Sequence, residues 1–173
     1  MTTTEYVILV DENDRELGQV EKLSAHQNNL LHRAFSIFIF SDTFKNEILI
    51  QQRARHKYHS PLLWTNACCS HPRFGETVIK AGNRRLHEEL GLNIDLKEAG
   101  WFYYNARFEN GLSEHEIDHV LVGVYPKELP IQPNSEEVAN YQWISVEKLQ
   151  KNLENNPNEY TAWFSQGLEI AIV

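Results

Sequence analysis

Cys68 and Cys69 stand side by side in the stretch Trp64-Thr65-Asn66-Ala67-Cys68-Cys69-Ser70-His71-Pro72, with a histidine two residues beyond the second. A thiol reacts as its thiolate, and a nearby cation or metal lowers its pKa. A cysteine beside a ligand-capable histidine can therefore act as acid, base or nucleophile. Free cysteine is also among the most buried residue types and often only fills space, so the pair takes its meaning from its surroundings. His26, His32 and the alternating acids Glu114, Glu116 and Asp118 are the relevant ones. Strand periodicity puts the three acids on one face, where like charges repel and favour a counter-ion, a shared proton or a metal. His26, His32, His71, Glu114 and Glu116 together suit an octahedral divalent cation such as Mn, Mg or Zn. Taken singly, each histidine reads more simply as a hydrogen-bonded residue, and spacing does not establish that they converge.

A second chemical feature is the basic run Gln52-Arg53-Ala54-Arg55-His56-Lys57 in an otherwise acidic chain. It reads either as a solvated charged loop or as a phosphate-binding one, with Arg supplying a planar fork and Lys a point charge.

The elements that must position these groups follow from hydrophobic pattern and turn chemistry. Tyr6–Val10 and residues 17–21 flank the turn-rich 11–14 and predict a hairpin. Residues 23–31 carry His26, and His32 immediately precedes the apolar, aromatic run 33–40, a buried strand. Glu47–Arg53 reads as its partner strand, leaving into the basic loop. Val78–Leu90 has Ile79, Gly82, Leu86 and Leu90 on one helical face, with Thr77 to cap it and Gly91 to end it. Arg85 and Glu89, four apart, project on the same side of that helix. Residues 101–108 and 113–125 predict strands around the turn 109–111. Residues 126–137 form a loop with three prolines, 138–144 a strand, and 146–153 a helix capped by Ser145. Thr161 is the expected cap of a last helix carrying Trp163 and Phe164. Five or more strands with hairpin-like connections and few helices predict an α+β fold. No P-loop or glycine-rich nucleotide fingerprint is present.

The chain has 173 residues, enough for one domain spanning 1–173 that buries roughly 70% of its unfolded surface. Its 24 acidic against 16 basic residues give a formal charge of −8, which argues against gripping nucleic acid or an anionic membrane. A small anionic substrate stays compatible with local clusters of base or metal. The first five residues lack a basic signal-peptide n-region, and the longest apolar run, 34–40, falls far short of the roughly 20 residues of a membrane span. A cytoplasmic protein is expected. Adjacent cysteines are too close for ordinary disulfide geometry, so both are expected to be reduced thiols.

As a whole the sequence resembles type I isopentenyl diphosphate isomerase, of the Nudix superfamily. The resemblance runs from Tyr6 through Trp163. It is carried by Ala25-His26 with Leu31-His32, Arg53 with Lys57, Trp64-Thr65-Asn66 leading to Cys69-Ser70-His71-Pro72, Gly75-Glu76, Glu89-Leu90-Gly91, Glu114-His115-Glu116, Tyr141-Gln142-Trp143 and Trp163-Phe164. Glu76, Arg84, Glu88, Glu89 and Gly91 keep the spacing of the Nudix box, while Ser70 stands for its leading glycine and Arg85 for its central glutamate. A Nudix hydrolase uses its full carboxylate set to hold metals that help water attack a diphosphate. Exchanging one of them for Arg favours holding the diphosphate over cutting it.

The resemblance implies a Nudix-like α/β/α sandwich with a mixed sheet and interconversion of isopentenyl and dimethylallyl diphosphate for isoprenoid supply. The reaction would protonate and deprotonate carbon through a tertiary carbocation, with water excluded. Cys69 and Glu116 would be the acid and base on opposite sides of the alkene, with Tyr104 assisting near Glu116. A divalent metal on His26, His32, His71, Glu114 and Glu116 would favour the carboxylate form of Glu116. Trp163 would face the carbocation, where cation–π attraction is worth ~2 kcal/mol or more in a dry pocket. At the polar end a Mg ion on Glu89 and the Cys69 backbone carbonyl would bridge to the diphosphate, with Lys22, Arg53, Lys57 and Arg85 as its basic partners. The implied partner is a small-molecule isoprenoid diphosphate, without nucleic acid or membrane, in a monomer or weak homodimer. Competing readings are a Nudix diphosphohydrolase, which would tolerate loss of Cys69, and a non-catalytic metal module, in which Trp163 would be core alone.

Overall fold

The computed structural model describes residues 3–173; Met1 and Thr2, where the expected 1–173 domain begins, lie outside the described residues. Strands β1 (Tyr6–Val10) and β2 (Glu16–Glu21) form the expected antiparallel hairpin. Its turn is closed by Asp11, whose Oδ1 accepts from the backbone N–H groups of Asn13 and Arg15 at 2.9 and 3.0 Å. Helix α1 (Lys22–Gln27) carries His26 to the start of β3 (His32–Phe40). The chain continues through β4 (Glu47–Arg53), two short strands β5 (Trp64–Thr65) and β6 (Cys68–Ser70), and helix α2 (Val78–Leu90). Strands β7 (Lys97–Arg107), β8 (Ser113–Val124) and β9 (Val138–Ser145) precede helices α3 (Val146–Asn155) and α4 (Phe164–Ala171).

The described strands make one nine-stranded mixed sheet organised around β3. Along one edge β3 pairs in parallel with β8 over its whole length, from His32↔Glu116 to Phe40↔Val124. Its other edge is divided among β1 at His32, β6 at residues 35–37 and β4 at Ile39 and Phe40. The expected β3–β4 partnership is therefore confined to two residue pairs, and β4 runs mainly beside β9. A long apolar strand in the middle of a sheet has two edges to satisfy, and here distant β8 takes one of them.

Alternation along these strands sorts side chains onto two faces. Phe35, Ile37, Ile39, Leu121 and Cys68 pack with Ala81, Leu86 and Leu90 of α2 on one face. Phe38, Phe40, Val120, Phe102 and Tyr104 pack with Trp163, Phe164 and Leu168 on the other. Helices thus cover both sides of the sheet, as an α/β/α sandwich requires. The α4 layer sits so close that a Cβ on Gly167 would lie 2.6 Å from Phe38 Cζ. No helix among the described residues is long and apolar enough to cross a membrane.

Helix α2 matches its expected bounds and caps. Thr77 accepts from the Lys80 backbone N–H, and Gly91 closes the helix in the left-handed region at φ 67°. Beyond Gly91, Gln132 and Asn134 donate their backbone N–H groups to the carbonyls of Leu90 and Glu89, tying the proline-rich loop to the helix end. A Cβ on Gly91 would meet Gln132 Cβ at 3.1 Å. Gly91→Ala is expected to lower unfolding free energy by roughly 1–2 kcal/mol from left-handed strain alone; urea denaturation with an unchanged slope is the check. At α4 the expected cap is not found. Thr161 Oγ1 instead lies 2.8 Å from Thr65 Oγ1, and Trp163 occupies the cap position without a capping side chain.

Candidate active site

The same alternation makes the site. On the face that carries Phe38 and Phe40, the β3 positions nearer its start are His32, Ala34 and Ser36, and the neighbouring β8 positions are Glu114, Glu116 and Asp118. On β6, Cys69 shares this face while Cys68 points into the opposite core. The three carboxylates the sequence placed on one face therefore lie inside, at 3%, 4% and 2% exposure, rather than on a solvent side. One cavity is lined by Cys69, Glu116, Tyr104 and Trp163 together with Arg53, Lys57, Lys22 and Arg85. Aromatic and polar groups meet there because the apolar core ends where the polar ends of β3 and β8 begin.

Three imidazoles converge at that polar end. His26 Nδ1–H donates to Ser113 O and His32 Nδ1–H to Leu30 O, each at 2.8 Å, so both rings turn Nε2 away from the backbone. Such outer hydrogen bonds fix the tautomer that metal ligation needs. His32 Nε2 lies 3.3 Å from His71 Nε2, and Glu116 Oε1 lies 3.2 and 3.1 Å from them. Ligand atoms of His26, His32, His71 and Glu114 all fall within 4.8 Å of one another. His26 Nε2 and Glu114 Oε2 are buried without a hydrogen-bond partner, a costly state for polar atoms. Two facing imidazole nitrogens and two orphaned acceptors are what a divalent cation would satisfy, so the donor set fits one.

Burial and charge also shape the titrations. Burial pulls His71 well below the ordinary imidazole value, assisted by His32. Burial opposes protonation of His32 as well and is the largest single influence, but the hydrogen bond to Glu116 together with the charges of Glu116 and Glu114 holds it above the usual value. Burial would raise Glu116, yet its contact with Glu114, its hydrogen bond with His32 and the charge of His32 together keep it below the ordinary carboxylate range. Asp118 is driven well above that range by burial and then by the charge of Glu116. The acidic face therefore ionises unevenly, as closely spaced like charges must.

Cys69 Sγ lies 3.1 Å from Asn66 Oδ1, 3.1 Å from Trp163 Nε1 and 3.5 Å from Ser36 Oγ. Asn66 is fixed by donating Nδ2–H to the carbonyls of Ile37 and Cys68 at 3.0 and 2.9 Å, which leaves Oδ1 facing the thiol. Burial, then the charge of Asp118, pushes the Cys69 thiol up to about 12. Tyr104 stands directly opposite Glu116 in the β7–β8 ladder, and its ring centroid is 6.2 Å from that of Trp163. Burial raises the Tyr104 phenol well above its usual value, so it stays a protonated donor.

Every basic candidate already has a protein partner. Lys22 pairs with Glu5 at 2.9 Å, Lys57 with Glu137, and Arg53 lies 5.6 Å from the Trp163 ring centre while donating to His59 O. Arg85 binds Glu88 at 2.5 Å, Glu89 at 2.7 Å and Glu137 at 3.3 Å. Glu89, only 4% exposed, also accepts from Gln51 Nε2 at 3.1 Å. Arg85 lines the cavity and Glu89 is buried behind it, so the pair is not a surface ion pair.

A NUDIX domain is matched over residues 30–164. The isopentenyl-diphosphate Delta-isomerase of Photobacterium profundum is 49% identical over 175 residues, covering 99% of this chain and 97% of that protein. The enzyme of the same name from Aliivibrio fischeri is 47% identical over 166 residues, covering 93% and 91%. The chain belongs to the isopentenyl-diphosphate Delta-isomerase family of NUDIX proteins. In fold, this isomerase-family chain is similar to a solved protein of Deinococcus radiodurans, with a TM-score of 0.70 and 17% identity, covering 88% of this chain and 90% of that one.

Within this isomerase-family chain, some site residues carried no sequence signal. Ser36 bridges Cys69 and Asp118, donating to Asp118 Oδ2 at 2.8 Å, although it reads as one small residue in an apolar strand. Glu137 joins Lys57 to Arg85 from the end of the proline-rich loop. His59 reaches Glu114 from the far end of the basic loop. Only long-range folding brings these to the site.

Proposed function

We propose that this isomerase-family chain interconverts isopentenyl and dimethylallyl diphosphate by moving protons on carbon, without attack on phosphorus. The carrying observation is that Cys69, Glu116, Tyr104 and Trp163 line one cavity together with Lys22, Arg53, Lys57 and Arg85. A thiol pushed up to about 12 keeps its proton at neutral pH, and a carboxylate held below its usual range has lost its own. Cys69 then enters as the acid and Glu116 as the base, roles the reverse reaction exchanges. Protonation of the terminal alkene carbon leaves a tertiary cation; loss of a proton from the neighbouring carbon forms the new double bond. Trp163 offers that cation an aromatic face in a buried setting, and Tyr104 donates toward Glu116.

His26, His32, His71, Glu114 and Glu116 would hold one divalent cation, Mn, Mg or Zn, whose charge favours the ionised form of Glu116. A Mg ion arriving with the diphosphate would be shared by Glu89 and the Cys69 carbonyl. Each Glu89 oxygen keeps a second lone pair beside its present hydrogen bond. Lys22, Arg53, Lys57 and Arg85 would exchange protein carboxylates for substrate oxygens. With Arg85 bonded to Glu88 and Glu89, those two acids are less free to assemble the metal cluster of a hydrolase, which favours the isomerase. The reading extends to a single cytoplasmic domain, monomeric or weakly dimeric, that acts on a small isoprenoid diphosphate.

Incubation with isopentenyl diphosphate and Mg tests the proposal. Dimethylallyl diphosphate with both phosphates retained is expected; release of phosphate with no isomer would favour a diphosphohydrolase. Chelation of the resident cation is expected to abolish activity. Restoring it at 100 times its Kd should raise unfolding free energy by about 2.7 kcal/mol, read as a reversible shift in thermal unfolding.

A further inference from the structure

His59 lies outside the converging ligand set, yet it makes the shortest contact to one of its members. Its Nε2 is 2.6 Å from Glu114 Oε1, whereas His26 Nδ1 stands 3.8 Å from the same oxygen. A carboxylate that ligates a metal only accepts, so with Glu114 as a ligand the proton in this contact belongs to His59 Nε2. Its Nδ1, 3.3 Å from Ser60 Oγ, is then the acceptor. This is the orientation opposite to that of His26 and His32, whose Nδ1–H groups donate to backbone carbonyls and turn Nε2 toward the ligand cluster. His59 is thus set up to donate to a ligand, and the other two to be ligands.

The ring is held firmly enough for that task. It is 6% exposed, stacks on Phe108 with an interplanar angle of 2° at 5.1 Å, and meets the Trp163 ring edge-on at 6.0 Å. The His59 carbonyl accepts from Arg53 Nη2 at 3.2 Å, which fixes the backbone of the loop. With Oε1 engaged by His59, Glu114 Oε2 is left buried without a partner.

We infer that His59 is a positioning residue for the metal site: it donates Nε2–H to Glu114 Oε1 and so holds that carboxylate where its free oxygen can meet a divalent cation. The inference rests on the reading of His26, His32, His71 and Glu114 as ligands. Outer-shell partners of this kind typically change metal affinity by about 10–100-fold.

The test uses the full chain stripped of metal, with Mn2+ alone as probe, and free Mn2+ counted by electron paramagnetic resonance. The wild-type protein is expected to bind one Mn2+. His59→Phe is expected to weaken that affinity by about 10–100-fold. His59→Gln, whose amide nitrogen can place an N–H near the Nε2 position, is expected to recover most of the loss. Circular dichroism and thermal unfolding establish that each variant is folded, and the Gln variant keeps the test decisive if the Phe variant is not. Wild-type-like affinity in His59→Phe would overturn the inference. So would a folded His59→Gln that binds as weakly as His59→Phe, or weakly on its own account, since the imidazole would then act as a ligand in its own right. Failure of the wild-type protein to bind Mn2+ would instead strike at the ligand set, and the positioning role would fall with it.

Discussion

Cys69→Ala is expected to lower kcat by about 10²–10⁴-fold, the range for loss of a positioned acid or base, with the fold retained. The thiol sits among Asn66, Trp163 and Ser36, and Asn66 keeps its backbone partners when the sulfur is removed. Loss of stability should therefore stay on the order of 1 kcal/mol, typical of a single substitution. Cys68→Ala supplies the control. Its side chain lies in the opposite core against α2, so kcat should stay near wild type even though a buried group is lost. Steady-state kinetics on both variants, beside their unfolding curves, separate chemistry from folding. Equal losses of kcat in the two would contradict the assignment of acid–base work to Cys69.

Glu116→Gln should be comparably severe, again about 10²–10⁴-fold in kcat, because the amide keeps the shape and removes the base. The substitution also touches the metal site, since Glu116 Oε1 lies 3.2 Å from His32 Nε2 and 3.1 Å from His71 Nε2. The two effects separate by titrating the variant with metal. Excess cation should restore occupancy, measured directly, and leave kcat low. Full recovery of kcat at saturating metal would show Glu116 to be a ligand alone and would remove it from the proton path.

Local signals made several elements readable from sequence. Helix α2 was visible end to end because its stop signals are chemical: a threonine that caps and a glycine that turns left-handed. The β1–β2 hairpin was visible for the same reason. What sequence could not supply was partner choice. β3 and β8 pair in parallel across an intervening helix and several strands, and nothing in 33–40 names 113–124 as its neighbour. The strand period correctly put Glu114, Glu116 and Asp118 on one face, but whether that face met water or core depended on α4 and on the β3 face beside it. The ligand atoms of His26, His32, His71 and Glu114 lie within 4.8 Å of one another, a convergence that neither residue type nor spacing states. Nothing in the chain points to His59, because what marks it is a 2.6 Å contact with Glu114 that only folding creates. Thr161 was misread as a cap because a threonine before an apolar run looks the same whether its hydroxyl turns to a helix or to Thr65.

The central claim is that protons from solvent-exchangeable groups reach carbon in this cavity. Incubating the metal-loaded protein with isopentenyl diphosphate and Mg in deuterated water tests it most directly, with the products read by NMR and mass spectrometry. The account predicts dimethylallyl diphosphate carrying carbon-bound deuterium, with both phosphates intact. Metal-loaded protein that yields neither the isomer nor carbon-bound deuterium would contradict it.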